Sequence, residues 1–415
     1  MENKKVMNRS LVVVGAILIQ LALGAIYAWS VFTPSLTAEG WAKADTQWVF
    51  AIGLASFAVF MVVAGKQLKT LGPQKLTILG GIILGLGYLL AGLFGGTSFI
   101  ALMLLIGLVG GAGIGLAYVV PIAVGMRWFP DKKGMITGLA VAGFGFGAML
   151  WVKLAGSWGH LIENIGLSST FMTYGIAFAI MVIIGGMWMK FPPAGWKPEG
   201  YKEAETVATE AKDDKEFSSG QMLGKVQFYL IFFTFVVSAG AGLMSIGLMK
   251  LYPMEALQAN GLSALEASAI AGTAMAVFFS LANGIGRIVW GMLSDKLGRK
   301  TSIIIMTATQ GILVILFTYM AGSEILLYLG ATLIGFNFGG NFALFPTITA
   351  DTFGSKNVGQ NYPFVFLAYG VGGILGPILG GIMGDMGNFP MAFTISGIAV
   401  LFGTVLMIMV KPAKK

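Results

Sequence analysis

Apolar runs recur along the whole chain, at residues 11–36, 46–68, 76–96, 99–126, 135–158, 169–190, 225–250, 264–292, 301–321, 324–349, 360–385 and 389–410, with short polar breaks between them. A helix rises 1.5 Å per residue, so about 20 apolar residues cover the roughly 30 Å of bilayer hydrocarbon. The pattern predicts an all-α membrane protein of twelve transmembrane helices, numbered here as spans 1 to 12. The first run is too long for a cleaved leader and lacks a small-residue cleavage site, so it reads as span 1.

Composition agrees with this pattern. The 415 residues are 56% hydrophobic and only 11% charged, against roughly 25% charged in an average soluble domain. The absence of Cys and the single His160 leave no disulfide, no thiolate ligand, no cysteine nucleophile and almost no zinc or general-base chemistry. An enzyme is therefore not expected, and neither is a metal or another cofactor.

A net charge of +8 could indicate nucleic acid, but the placement of the basic residues says otherwise. Lys4, Lys5 and Arg9 precede span 1; Lys66, Lys69 and Lys75 lie between spans 2 and 3; Arg127, Lys132 and Lys133 lie between spans 4 and 5. Lysines from Lys190 to Lys225 mark the centre, followed by Lys296, Arg299, Lys300, Lys356, Lys411, Lys414 and Lys415. These positions all fall on one side of the membrane. By the positive-inside rule both termini and the central loop are expected in the cytoplasm, and no nucleic-acid partner is expected.

The one long polar stretch carries Pro192, Pro193, Pro198 and a mixed-charge run, and it divides six spans from six. The expected units are a bundle over 1–190, a cytoplasmic loop over 191–223 and a second bundle over 224–415. Landmarks recur between the two. Gly65 after span 2 and Gly291 after span 8 are 226 positions apart, and Pro121 in span 4 and Pro346 in span 10 are 225 apart, as a parallel repeat requires.

The segment Gly291-Met-Leu-Ser-Asp295-Lys296-Leu-Gly298-Arg299-Lys300 matches a loop signature, and through it the chain resembles the major facilitator superfamily. The resemblance implies twelve helices in two pseudo-symmetric six-helix bundles. Physically, Gly291 permits close helix approach, Asp295 can accept bonds from a neighbouring helix N-terminus, and Arg299 and Lys300 are expected to face headgroups. The first-half copy has Lys69 where the aspartate belongs, so a latch is expected in the second half only.

All 18 acidic residues fall in loops or at span ends, Glu324 and Asp385 included. An ionisable group within hydrocarbon costs about 3 kcal/mol on insertion scales, so an intramembrane charge points to function. Arg287 is that charge, eight residues before Asp295 and hence ~12 Å inside the span. Its planar fork holds a carboxylate bidentately and keeps its proton. The alternative, pairing to a carboxylate on another helix, lacks a mid-span acid; snorkelling is the other. Asn283 lies one turn away on the same face and can hold the guanidinium or bond a substrate.

Tyr118 in span 4 offers a hydroxyl from the other half, with interhelical packing an equal alternative. The helical pairs Phe338 with Phe342, and Phe366 with Tyr369, either pack helices or line a cavity. Glycines of span 5 (Gly138, Gly143, Gly145, Gly147) and of span 11 (Gly372, Gly376, Gly380) read as close-packing positions and not phosphate loops. His160 reads as a solvated residue near a span end, and Lys250 with Tyr252 as a possible guard of the outer mouth.

The segments Tyr27-Ala-Trp29-Ser, Arg127-Trp-Phe-Pro-Asp131-Lys-Lys-Gly134, Asn283-Gly-Ile-Gly-Arg287, Phe342-Ala-Leu-Phe-Pro346 and Asn361-Tyr362 are similar to the oxalate:formate antiporter family. That resemblance implies transport of small carboxylates, with the span 8 arginine as anchor and aromatic residues around it. The binding roles would fall on Arg287, Tyr27, Tyr118, Phe338, Phe342, Phe366 and Tyr369, to which helical spacing adds Asn283; the conformational roles of Gly291, Asp295 and Arg299 follow from the loop signature. The dicarboxylate-exchanging type of this family has a lysine where Tyr369 stands. One cation suits a monoanion, since an unmatched buried charge costs several kcal/mol.

The pattern is also similar to bacterial lactate carriers and, more distantly, to animal monocarboxylate transporters. In the latter an aspartate stands at the position of Asn283, so their proton relay does not transfer residue by residue. The expectation is a monomeric carrier in the bacterial inner membrane that moves a monocarboxylate such as lactate together with a proton. Oxalate/formate-type exchange and an anion channel are the alternatives.

Overall fold

Twelve helices long and apolar enough to cross a bilayer are present, in a computed structural model that describes residues 7–32, 35–36, 39–41, 43–96, 98–155, 158–193, 195–198, 216–249 and 251–413. They are Ser10–Trp29, Trp48–Gln67, Pro73–Gly95, Phe99–Trp128, Lys133–Ala155, Leu161–Gly186, Val226–Leu248, Ala264–Leu297, Arg299–Met320, Glu324–Phe353, Val358–Gly384 and Phe389–Met409, spans 1 to 12 in order. Spans 8 and 10 run past the ends expected from their apolar stretches. Helix length is set by backbone hydrogen bonding and continues into water where polar residues suit it.

With twelve spans among the described residues, the start of span 1 and the end of span 12 lie on one face, called the basic face below. Spans 1, 5 and 6 pack together, as do spans 2, 3 and 4; in the second half span 7 packs on 11 and 12, span 8 on 10, and span 9 on 12 and 10. The halves meet along two seams, span 5 against span 8 and span 2 against span 11.

Glycine makes the first seam possible. A Cβ on Gly138 would overlap the carbonyl of Arg287, and one on Gly134 would overlap the carbonyl of Gly291, so the backbones touch at a distance that no other residue permits. Deformed turns are confined to a few places. Span 1 tightens to a 3-10 helix over Gly24–Val31, and span 8 widens to π-turns over Ala274–Phe279, just before the turns that carry Asn283 and Arg287.

On the basic face Asp295 closes the first seam. Its two carboxylate oxygens accept the backbone N–H groups of Gly134 (2.9 Å) and Met135 (2.8 Å) at the start of span 5, where a carboxylate also suits the helix dipole. Arg299 pairs with Asp295 at 2.6 Å and with Asp351 at 3.1 Å, and Lys133 donates to Ser355 at 2.8 Å. At the second seam no aspartate among the described residues takes this part: Lys69 donates to Asn357 (3.3 Å) and Arg127 donates to the Lys356 carbonyl (3.0 Å).

Two expectations for this face are corrected. Arg299 does not face headgroups, because Asp295 and Asp351 hold it at 12% side-chain exposure. Lys300 turns inward to the carbonyls of Ile408 and Val410, acceptors that the end of span 12 leaves without helical partners.

Replacing Asp295 by alanine orphans two N–H groups and removes one of the two carboxylates that hold Arg299. Each charge-assisted bond contributes about 1.5–3 kcal/mol, so the state sealed on the basic face is expected to lose population. The chain has no cysteine, which makes a single probe possible at buried Thr137, on the same face of span 5 as Gly134 and Val141. Maleimide labelling of Thr137→Cys from the basic face should accelerate at least about tenfold in Asp295→Ala; an unchanged rate would show that Asp295 does not hold the seam.

Candidate functional site

Arg287 is completely buried where spans 5 and 8 cross. It reaches that depth because span 8 is thin there: Gly284 takes the ring of Phe146 against its backbone and Gly286 takes the carbonyl of Phe336. The side chain is then held from three directions. Nε donates to Asn283 Oδ1 at 3.2 Å, Nη1 donates to the Val141 carbonyl at 3.0 Å, and Cζ stands 4.0 Å from the ring centroid of Phe342 and 5.4 Å from that of Phe144. Both rings present π-density to the cation. Nη2 is buried without a partner, and Arg287 makes no ion pair among the described residues.

Tyrosines complete the surround. The hydroxyls of Tyr27 and Tyr118 adjoin the guanidinium, and those of Tyr362 and Tyr369 lie within its electrostatic reach. Tyr27 and Tyr369 share a hydrogen bond across the two halves, while the hydroxyls of Tyr118 and Tyr362 are buried and unpartnered. Buried polar atoms are normally paired. Three of them, Arg287 Nη2 and these two hydroxyls, are left over at one place.

The rings form one continuous cage. Tyr27 meets Phe144 at 5.1 Å, Tyr118 meets Phe144 and Phe366 each at 5.4 Å, and Phe366 stacks on Tyr369 at 4.9 Å. Tyr369 meets Phe342 edge-on at 5.5 Å. The result is a net positive centre faced by hydroxyls within an aromatic wall. Such a centre can hold an anion that accepts several hydrogen bonds; no carboxylate or imidazole contacts the guanidinium among the described residues.

Of the residues singled out in the sequence, Tyr27, Tyr118, Asn283, Arg287, Phe342, Phe366 and Tyr369 come together here. Phe338 stands one layer back, packed on Phe342 (5.3 Å) and against Gly242. Gly291, Asp295 and Arg299 belong to the basic-face seam. Tyr252 is no mouth residue: it donates to the Thr318 carbonyl and packs on Phe389 and Phe393 inside the second half, and Lys250 lies outside the described residues. His160 is exposed and pairs with exposed Glu163, as expected.

Sequence reading missed Phe57, Phe144 and the Val141 carbonyl. A signal existed for the last two, since Gly138 and Gly145 bracket them at helical spacing on the face that meets span 8. Tyr362 was noticed as part of a motif without a role.

The chain matches the family described as Major Facilitator Superfamily over residues 12–278 and 235–415. It is 29% identical to an uncharacterized MFS-type transporter, YhjX, of Escherichia coli (strain K12), covering 88% of this chain and 86% of that one. It is 27% identical to the oxalate:formate antiporter of Oxalobacter formigenes, over 98% of this chain and 92% of the relative, and 26% identical to apicoplast pyruvate carrier 1 of Toxoplasma gondii, over 78% and 66%. Among solved structures the fold is similar to the proton:xylose symporter XylE, with a TM-score of 0.70 at 13% identity covering 98% of this chain and 96% of that one. It is also similar to FucP in the outward conformation, with a TM-score of 0.66 at 15% identity covering 98% and 99%. At those identities the structural likeness concerns the fold alone.

Proposed function

Since the chain belongs to the major facilitator superfamily and is a multi-pass secondary transporter, we propose that its cargo is a small monocarboxylate such as lactate, pyruvate, formate or acetate. The observation that carries this reading is Arg287 Nη2, an unpaired donor on a buried cation among unpartnered tyrosine hydroxyls. A carboxylate accepts from a guanidinium edge and from hydroxyls at once. A single cation matches a single negative charge, whereas a dianion would bury one charge unmatched. Carboxylate cargo in the names of the antiporter and the pyruvate carrier supports the same class.

In this reading Arg287, Asn283, Tyr27, Tyr118, Phe342, Phe366 and Tyr369 bind the anion, Phe338 backs them, and the two six-helix halves rock about the site in alternating access. The bonds of Asp295 to span 5 join the halves on the basic face, which the charge bias assigns to the cytoplasm of a bacterial inner membrane. Gly291, Asp295 and Arg299 then form the cytoplasmic gate.

Proton cotransport is the coupling proposed. The lack of a carboxylate or imidazole in contact with Arg287 among the described residues favours a second reading, exchange of one carboxylate for another. A ligand that binds the folded state raises its melting temperature by linkage, so purified protein should be stabilised by monocarboxylates more than by oxalate; stabilisation by oxalate alone would overturn the cargo assignment. In liposomes, uptake driven by an acid-outside gradient supports symport, and uptake that requires internal carboxylate supports exchange. A channel would lack acceleration by internal substrate.

A further inference from the structure

A second basic site stands apart from Arg287. On the basic face, at the seam between spans 2 and 11, a cavity of about 280 Å³ opens among residues of both halves. Lys69 and Arg127 line it from the first half and Lys356 from the second, with no carboxylate among the described lining residues. The cations seen to be engaged use neutral acceptors: Lys69 donates to Asn357 Oδ1 at 3.3 Å, and Arg127 donates to the Lys356 carbonyl at 3.0 Å with its guanidinium 3.8 Å above the ring of Phe191. Glu216, whose charge reaches Arg127, accepts the Lys356 N–H at 3.2 Å and is not part of the lining.

Two long helices also begin at this cavity. Gly72 and Pro73 at the start of span 3 and Val358 and Gly359 at the start of span 11 line it, so the positive ends of two helix dipoles add to the three side chains. The volume lies near the lower end of the roughly 300–1,000 Å³ of small-molecule sites, which admits a phosphoryl group with a small substituent.

We infer that this cavity binds a phosphoryl dianion, supplied by a soluble phosphate ester or by an anionic lipid headgroup, and that the bound group ties the two halves together on the basic face. Three cations and two helix N-termini match a charge near −2 carried on several acceptor oxygens. Lys69 and Arg127 on one side and Lys356 on the other make the ligand a bridge across the seam. Binding there favours the state sealed on this face and slows turnover of the carrier.

The test uses the full chain. Protein in detergent is titrated with glycerol 3-phosphate against KCl of equal ionic strength, and protein in phosphatidylcholine nanodiscs is compared with protein in discs containing phosphatidic acid, whose headgroup is a phosphomonoester. A rise in melting temperature in the first arm identifies a soluble ester, and a rise in the second arm alone identifies the lipid headgroup. In either case Lys69→Gln/Lys356→Gln should need about tenfold more ligand for the same shift, and uptake by the wild type should fall as the site fills. The single variant Lys69→Gln serves the same purpose if the double variant is not monodisperse, with about threefold more ligand required. Absence of a rise in both arms, or an equal response in the variant, overturns the proposal.

Discussion

Replacing Arg287 by alanine is expected to lower carboxylate uptake in proteoliposomes at least about 100-fold and to abolish the thermal shift produced by substrate. A guanidinium that presents Nη2 and its neighbours to a carboxylate makes charge-assisted bonds contributing about 1.5–3 kcal/mol each. Two such bonds amount to at least about 3 kcal/mol, where each 1.4 kcal/mol is tenfold. The carboxylate would also enter a wall of rings with no counter-charge, which adds several kcal/mol. The fold should survive, because among the described residues the side chain makes no ion pair whose loss would leave a buried carboxylate. Arg287→Lys keeps the charge but not the planar fork, so it should retain weak binding, about tenfold below wild type. Saturable uptake at wild-type rates by a monodisperse Arg287→Ala protein would remove the anchor from the mechanism.

Arg287 was legible from sequence for a simple reason: its charge is incompatible with hydrocarbon, and no acid shares its depth. Asn283 followed from helical spacing, and Asp295 from a loop pattern whose chemistry, a carboxylate facing a helix N-terminus, the structure shows on Gly134 and Met135. The twelve spans were equally readable because lipid imposes a length and a polarity on each. What was not legible came from relations between distant segments. Phe57 and Phe144 look like any apolar residue in a span; only the crossing of spans 2, 5 and 8 brings them to the guanidinium or its cage.

The Val141 carbonyl could not be read from residue type at all, since it is backbone. Its bond to Nη1 joins the first half of the chain to the second at the depth of the site. Arg299 and Lys300 were misplaced by the same limitation. Their charge predicted a headgroup-facing position, but Asp351 and the end of span 12 offered nearer partners.

Replacing Tyr369 by lysine is expected to exchange one substrate class for another. The Tyr369 ring stacks on Phe366 and meets Phe342 edge-on at 5.5 Å, and Phe342 in turn lies 4.0 Å beneath the guanidinium of Arg287. A lysine at this position places a second cation in the same cage. At a separation of about 7 Å and an effective dielectric near 20, two unit charges interact by about 2 kcal/mol. Without a dianion that term is a repulsion between Arg287 and the new ammonium; with oxalate bound, each carboxylate has its own cation. Oxalate should therefore gain about 30-fold in apparent affinity relative to lactate or acetate, and its thermal shift should exceed theirs. Loss of the Tyr27 hydrogen bond weakens both classes alike and leaves the ratio as the readout. An unchanged ratio in a folded Tyr369→Lys protein would mean that charge count at this cage does not select the cargo.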